Sequence, residues 1–434
     1  MRWERKKAGK RGLGLKIGVS LFSSFMISAS SLRRASLAAV LFLAASAAQA
    51  AIVLQITVSS ERLNPADAPV AQTAVLGKRY LSVRDGKRMT VVDFAARQRY
   101  SIDTASASYE QESLFAVVAE RAASMRQRKD VAVLTPQQGD QAVIWSLAGQ
   151  PLLKTGLAGQ PVSDDDARAF AQFLRYTWHV HPLVLDMLAG GRQIPREFAL
   201  YQRDAAGSIV RHFHLHSFTA DVPETDPLSG YRPLALSASA PLLERLLEQA
   251  TRLQALGPET HATMRAQADQ VFAAQHTFEA FLMMLEDNLS TGALVEHLSR
   301  EQLLAMQASE PIQQLLRALS AKDMEIIEEG LASVQALRAQ VGPEQPMLAF
   351  FEAGLRGKLG QWPEAQALYL QVLQVRPHLA AAYKELGDAL YAQGHMRDAW
   401  RSWDAGRALA PTHRVFKSVD ALEKSLLKQY PAFF

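Results

Sequence analysis

Two stretches near the end of the chain repeat each other at a spacing of 34 residues. Gly360 recurs as Gly394, Ala365 as Ala399, Tyr369 as Trp403 and Pro377 as Pro411. A period of that length fits a helix–turn–helix unit, which cannot bury its apolar face alone and therefore stacks on copies of itself. Stacks of this kind build surfaces for other proteins or peptides and rarely carry chemistry. The repeat thus directs the chain toward partner binding before any other residue is considered.

The better unit runs from Ala380 to His413. In it Tyr383, Leu386, Gly387, Leu390, Gly394, Ala399, Trp403 and Pro411 fall at positions with distinct physical roles. Gly387 and Ala399 are small where two helices would cross closely. Tyr383, Leu390 and Trp403 fill the space between helices, Gly394 lets the chain turn, and Pro411 closes the second helix. Gly406 keeps a further site small at a cost in helix propensity of up to about 1 kcal/mol. The preceding unit, Pro346 to Leu379, keeps Ala353, Gly360, Ala365, Tyr369 and Pro377 but has Ala349 in place of the large aromatic and Glu352 in place of the leucine. This pattern resembles the tetratricopeptide repeat (TPR). Pro343, 34 residues before Pro377, hints at a further degenerate copy in Leu319 to Pro343. The resemblance implies that first helices line a concave, peptide-binding face. Lys384, Asp388 and Tyr391 share one helix face by spacing and are the candidate partner contacts, the alternative being that Lys384 and Asp388 make an exposed i,i+4 pair. Val415 to Lys428 is amphipathic, with Lys417, Lys424 and Lys428 outside, as a solvating cap requires.

At the other end, Arg33 and Arg34 precede an apolar run from Leu37 to Ala45 and the sequence Ala48-Gln49-Ala50. That order is a secretory leader, with cleavage expected after Ala50 and a start expected at Met26. A weaker apolar stretch from Leu13 to Ile27 leaves an N-terminal anchor as the alternative. Residues 1–50 carry nine Lys or Arg and one Glu, so the net charge of +4 becomes −4 once they are removed. A weakly acidic remainder has no electrostatic footprint for nucleic acid. The chain has no cysteine, so an exported form relies on its cores rather than on disulfides. A bacterial periplasmic or secreted location follows, with no stable transmembrane anchor after cleavage.

From Ala51 the apolar period is 2. Ile52, Leu54, Ile56 and Val58 alternate with Val53, Gln55, Thr57 and Ser59, the pattern of a half-buried strand. Asp85-Gly86 marks a hairpin, and a further turn is expected at Ala95 to Gln98. Ser108 to Met125 has helical spacing, and strands are expected at Val131 to Leu134 and Gln141 to Leu147. The run from Tyr80 to Phe94 and its neighbours resembles the half-open antiparallel sheets of periplasmic lipoprotein carriers. That resemblance implies a meander curved around an apolar cavity. Asp164, Asp165 and Asp166 follow Ser163, a plausible helix cap, and the helix is expected to end by Gly190-Gly191.

Five histidines cluster. His179 and His181 lie near the end of that helix, while His212, His214 and His216 fall in SIVRHFHLHSF, opposite EFALYQR across the turn Asp204 to Gly207. Strand residues two apart share a face, so the three imidazoles stand in a row with Phe213 and Leu215 behind them. Neutral imidazole suits zinc, copper and nickel. One expectation is a divalent-metal site from His212, His214 and His216 completed by His179 or His181; the other is a solvated strand face. No His-Glu-x-x-His, Gly-x-Ser-x-Gly, phosphate-binding loop or dinucleotide fingerprint occurs.

From Pro241 the period becomes 3.6. One helix is expected from Leu242 to Gly257-Pro258, then one long segment from Thr260 to Asn288 bearing Val271, Phe272, Phe278, Phe281, Leu282 and Leu285. Further helices are expected at Ser299 to Met306, Pro311 to Leu319 and Ala321 to Ala339. The expected class is α+β: a leader at 1–50, an antiparallel β-rich domain at 51–235 with a few helices, a helical domain at 236–342, two TPR-like repeats at 343–413, and a capping helix and tail at 414–434. The expected function is non-enzymatic binding of a protein or peptide partner in the cell envelope, without a cofactor. The alternatives are a carrier of a lipid or other apolar ligand, and a metal-binding protein or metal-dependent hydrolase using the histidines.

Overall fold

A computed structural model describes residues 50–61, 67–125, 133–204, 207–237, 239–253, 255, 257–293, 298–342 and 345–434. The expected leader, apart from the backbone of Ala50, lies outside the described residues, as do Pro343 and the tip of the Asp204–Gly207 turn. The fold is α+β, an antiparallel strand-rich sheet followed by a helical region.

The sheet grows from β1 (Ala50–Glu61), whose Ile52, Leu54, Ile56 and Val58 are all buried, as their alternation requires. On one side follow β2 (Asp67–Leu76), β3 (Tyr80–Asp85), β4 (Arg88–Asp93), β5 (Gln98–Asp103) and β6 (Ser108–Ser113) in meander order. The hairpin at Asp85-Gly86 forms with Gly86 at φ 55°, a conformation that glycine adopts without steric cost. On the other side β1 pairs with β13 (Gly207–Pro223), which leads to β12 (Glu197–Asp204), β9 (Gln150–Gly156), β8 (Ala142–Leu147) and β7 (Thr135–Gln138). Among the ladders of the described residues, β14 (Arg232–Pro233) on β6 alone is parallel. β10 (Gly159–Pro161) and β11 (Gln193–Pro195) form a separate pair. The register of β1 shifts twice against β13 and once against β2, and such bulges bend and twist the long central strands.

Three expectations fail in this half for identifiable reasons. Ser108–Ser113 is strand, not helix, because it ladders in register onto β5; the helix α1 begins only at Leu114. The strand expected at Val131 to Leu134 is instead β7, from Thr135, and residues 131–132 lie outside the described residues. The helix after the Asp triplet is two helices, α2 (Asp164–Trp178) and α3 (Pro182–Gly190). His179 takes a left-handed conformation at φ 50°, which stops α2, and His181 caps α3 through its Nδ1. Ser163 caps α2 by accepting from the Asp166 amide, and Asp164 and Asp165 pair with Arg192 and Arg168, so the acidic triplet serves the helix start.

The helical half comprises α4 (Leu242–Arg252), α5 (Pro258–Ala273), α6 (Thr277–Thr291), α7 (Arg300–Ala308), α8 (Glu310–Ser320), α9 (Met324–Val341), α10 (Pro346–Lys358), α11 (Trp362–Val375), α12 (Ala380–Ala392), α13 (Met396–Leu409) and α14 (Lys417–Gln429). The expected single segment from Thr260 to Asn288 folds back on itself. Gln275, at φ 67°, breaks it, and α5 then packs against α6, so that each half covers the other's apolar face. α10 with α11 and α12 with α13 form two packed helix pairs, joined by turns in which Gly360 and Gly394 adopt φ 76° and 85°. Buried residues of the sheet, α1, α2 and the helix pairs belong to one continuous apolar cluster. No helix among the described residues is long and apolar enough to cross a membrane.

Candidate partner-binding surface and histidine row

Trp403 organises the second helix pair. A Cβ on Gly387 would stand 2.3 Å from Trp403 Nε1 and 2.9 Å from the Ala399 carbonyl, so α12 and α13 approach as closely as a glycine allows. Trp403 Nε1 donates to the Lys384 carbonyl at 3.0 Å and to Asp388 at 3.1 Å. A buried indole N–H needs such an acceptor. Gly406 is equally constrained: a Cβ there would meet the Ala380 carbonyl at 2.9 Å and Phe416 Cζ at 2.7 Å. Glycine here is a packing requirement, which outweighs the helix propensity it forfeits.

The three candidate contacts are connected, but not as a row of free side chains. Lys384 is only 4 % exposed, and its ammonium pairs with Asp388 at 2.8 Å and Glu385 at 3.0 Å. This corrects the alternative of an exposed i,i+4 pair: the ion pair is set into the core. It also removes Lys384 from the set of residues that can reach a partner. Burial pulls the Lys384 ammonium down, but the two carboxylates more than offset this and hold its pKa above the usual range. Asp388 is pushed up to about 6, chiefly by desolvation and then by Glu385, against the pull of Lys384 and Trp403. Tyr391 lies with its ring 5.7 Å from Trp403 and 5.9 Å from Trp400, half-buried. Glu385, which the sequence reading passed over, shares this part-exposed side of α12 with Asp388 and Tyr391. Its i+3 spacing to Asp388 was the available signal.

The face that first helices present is partly occupied by the chain itself. α6 packs against both α10 and α12, and Glu286 of α6 accepts from Arg376 at 2.6 Å. The glutamate anomaly in the first pair is explained from the other side. Glu352, 4 % exposed, accepts from Gln335 and Arg338 of α9 at 3.1 and 2.9 Å and from Arg356 at 2.9 Å. α14 does present Lys417, Lys424 and Lys428 to solvent, but it is more than a cap, because it also packs against α1 of the β half.

The β12–β13 hairpin forms, and His214 and His216 stand exposed with their rings 4.6 Å apart while Phe213 and Leu215 are buried behind them. His212 lies 3.2 Å from Glu61, His214 3.3 Å from Glu197, and His216 2.6 Å from Thr57 Oγ1. His179 and His181 do not complete this set. They belong to the helix-covered side of the sheet, where Trp178 packs on Phe213 and Arg211. Desolvation of its ring, reinforced by Arg121, Arg99 and Arg211, holds His179 down at about 4, a drop that solvent on its exposed flank moderates. Among the described residues, no three His, Asp or Glu side chains are grouped to hold a metal ion.

By fold and surface, the chain is an α+β protein in which a wide antiparallel sheet and packed helix pairs share one core. A scan against protein-family models finds no match, and neither does a search of curated proteins.

Proposed function

We propose that the protein is a non-enzymatic scaffold of the bacterial cell envelope, exported by its leader, that holds a protein partner on the helical half. The observation that carries this reading is the part-exposed side of α12, where Glu385, Asp388 and Tyr391 lie together beside the buried Lys384. Two carboxylates stand on the part-exposed side, with Lys384 buried beneath them and Lys358 near Glu385, next to an aromatic ring. That chemistry suits a peptide segment with a basic residue beside an apolar one. The resemblance of the two helix pairs to tetratricopeptide repeats points the same way, since it implies peptide contact by first helices.

The test is site-specific photocrosslinking in intact envelopes, with the photoreactive residue at Tyr391 and, as control, at exposed Ser418 on α14. A discrete adduct from position 391, absent from 418 and lost when Glu385→Lys is added, supports the reading. Identical adducts from both positions, or none from 391, overturn it.

A further inference from the structure

The tail after α14 enters the β half and is held there by side chains from residues far away in sequence. Phe433 is 8 % exposed, and its ring meets Tyr176 edge-on at 6.2 Å. Arg175 and Arg121 place their guanidinium carbons 5.0 and 5.8 Å from the centre of the same ring. Phe434 packs on Phe115 of α1 at 5.0 Å. Three further contacts read the backbone at two carbonyls. Gln172 Nε2 donates to the Ala432 carbonyl at 2.7 Å, Arg175 Nη1 donates to the same oxygen, and the Tyr176 hydroxyl donates to the Phe433 carbonyl.

These donors lie along α2 and converge on successive main-chain carbonyls. A plain apolar cavity needs no such alignment; recognition of a peptide main chain does, here one turned as a 3-10 helix over Pro431–Phe433. Arg175 is only 7 % exposed, and removing the tail would leave its buried guanidinium short of an acceptor. The receptacle is therefore built to hold a peptide carbonyl. Within the tail Pro431 and Ala432 are exposed, and Tyr430–Phe434 follows a helix whose lysine face is in solvent.

We infer that the α1–α2 receptacle of Phe115, Arg121, Gln172, Arg175 and Tyr176 is a peptide-binding site for a short 3-10-turned segment with two adjacent aromatic residues, and that Tyr430–Phe434 is its intramolecular occupant, displaced when a partner supplies such a segment. This site is separate from the α12 surface and does not depend on it. A tethered occupant competes at an effective concentration on the order of millimolar, so the tail screens the site against weak partners.

The experiment measures fluorescence anisotropy of a labelled peptide with the sequence of residues 425–434. The chain shortened to end at Gln429 should bind it at least about tenfold more tightly than the full chain. A peptide with both phenylalanines changed to alanine should not bind, and Arg175→Gln in the shortened chain should weaken binding at least about tenfold. A folded shortened chain that binds the peptide no better than the full chain overturns the inference. Should shortening prevent folding, the full chain decides. It has no cysteine, so Ala432→Cys carries a single environment-sensitive dye. Excess peptide should shift the dye toward its solvent-exposed emission while the alanine peptide does not; no difference between the two peptides overturns the inference.

Discussion

The two helix pairs occupy the same 34-residue frame but stabilise it by different means. In the second pair the interior is apolar where α12 faces its neighbours. Leu386 and Leu390 are buried, and the buried Lys384 has its carboxylate partners on its own helix. In the first pair the positions 34 residues earlier are Glu352 and Arg356, and Arg338 of α9 completes their network. The first helix of the pair next to α9 thus spends polar groups on a specific junction, whereas the first helix of the second pair relies on the fit of Trp403 against Gly387, and ionic junctions there fall to α13, where Arg401 pairs with Glu244 and Arg407 with Glu423. A repeat frame fixes where helices cross; it leaves open whether a crossing is oily or ionic, and the neighbour decides.

The sharpest break of this comparison is to exchange the two chemistries. Leu386→Glu places a carboxylate in a fully buried site without the arginines that serve Glu352, and should cost about 4 kcal/mol or more, read as loss of the cooperative urea transition or a large fall in its midpoint. Glu352→Leu should cost about 3 kcal/mol, because Arg338 and Arg356 are left partly buried without their carboxylate. Adding Arg356→Leu to Glu352→Leu copies the Leu386/Leu390 pattern and should recover at least about a third of that loss, since an apolar replacement of a buried pair is often nearly neutral. If Glu352→Leu alone is neutral in chemical denaturation, the junction is not ionic in the sense claimed. A smaller effect separates the crossings. Gly387→Ala should cost about 2 kcal/mol by overpacking against Trp403, whereas Ala353→Gly at the matching position should cost about 1 kcal/mol by helix propensity alone. Equal Tm shifts for the two would mean that Trp403 imposes no special closeness.

What could be read beforehand follows from how local its cause is. The alternation of Ile52 to Val58, the Asp85-Gly86 turn, the Ser163 cap and the turns at Gly360 and Gly394 are set by neighbours in sequence, and each formed where expected. The division of Thr260 to Asn288 was not legible, because both halves carry helical periodicity and only their mutual packing, through the left-handed Gln275, separates them. Ser108–Ser113 misled for the opposite reason: its spacing ran into that of α1, while its conformation is imposed by β5. At the candidate surface the spacing of Lys384, Asp388 and Tyr391 places them on one helix, α12, but does not carry their depth. Burial of Lys384 comes from α13 and the preceding helices, and the occupation of the first-helix face by α6 is a contact across about 100 residues of chain that no local pattern encodes. The docking of Phe433 is of the same kind.

The smallest expected effect concerns charge in the second pair, which has no counterpart in the first because Gly354 stands where Asp388 does. Asp388 titrates at about 6 in the fold, against about 3.9 in an unfolded chain, so the folded state holds the proton more tightly. The stability this gives is fully present below about pH 4 and is lost as pH rises through about 6. A single group with that difference would change stability by at most about 3 kcal/mol; the attraction of Lys384 is already contained in the difference, and the part-exposed carboxylate gains solvent as it ionises, which reduces the cost. The expected net change is therefore about 1 kcal/mol. Asp388→Asn keeps an acceptor for Trp403 and removes the titration, so the wild-type chain should lose about 1 kcal/mol relative to the variant between pH 4 and pH 7 in paired urea titrations. A difference that grows in the other direction, with the wild type gaining on the variant as pH rises, would mean that the Lys384 pairing outweighs desolvation, and that the second pair too is held by its charges.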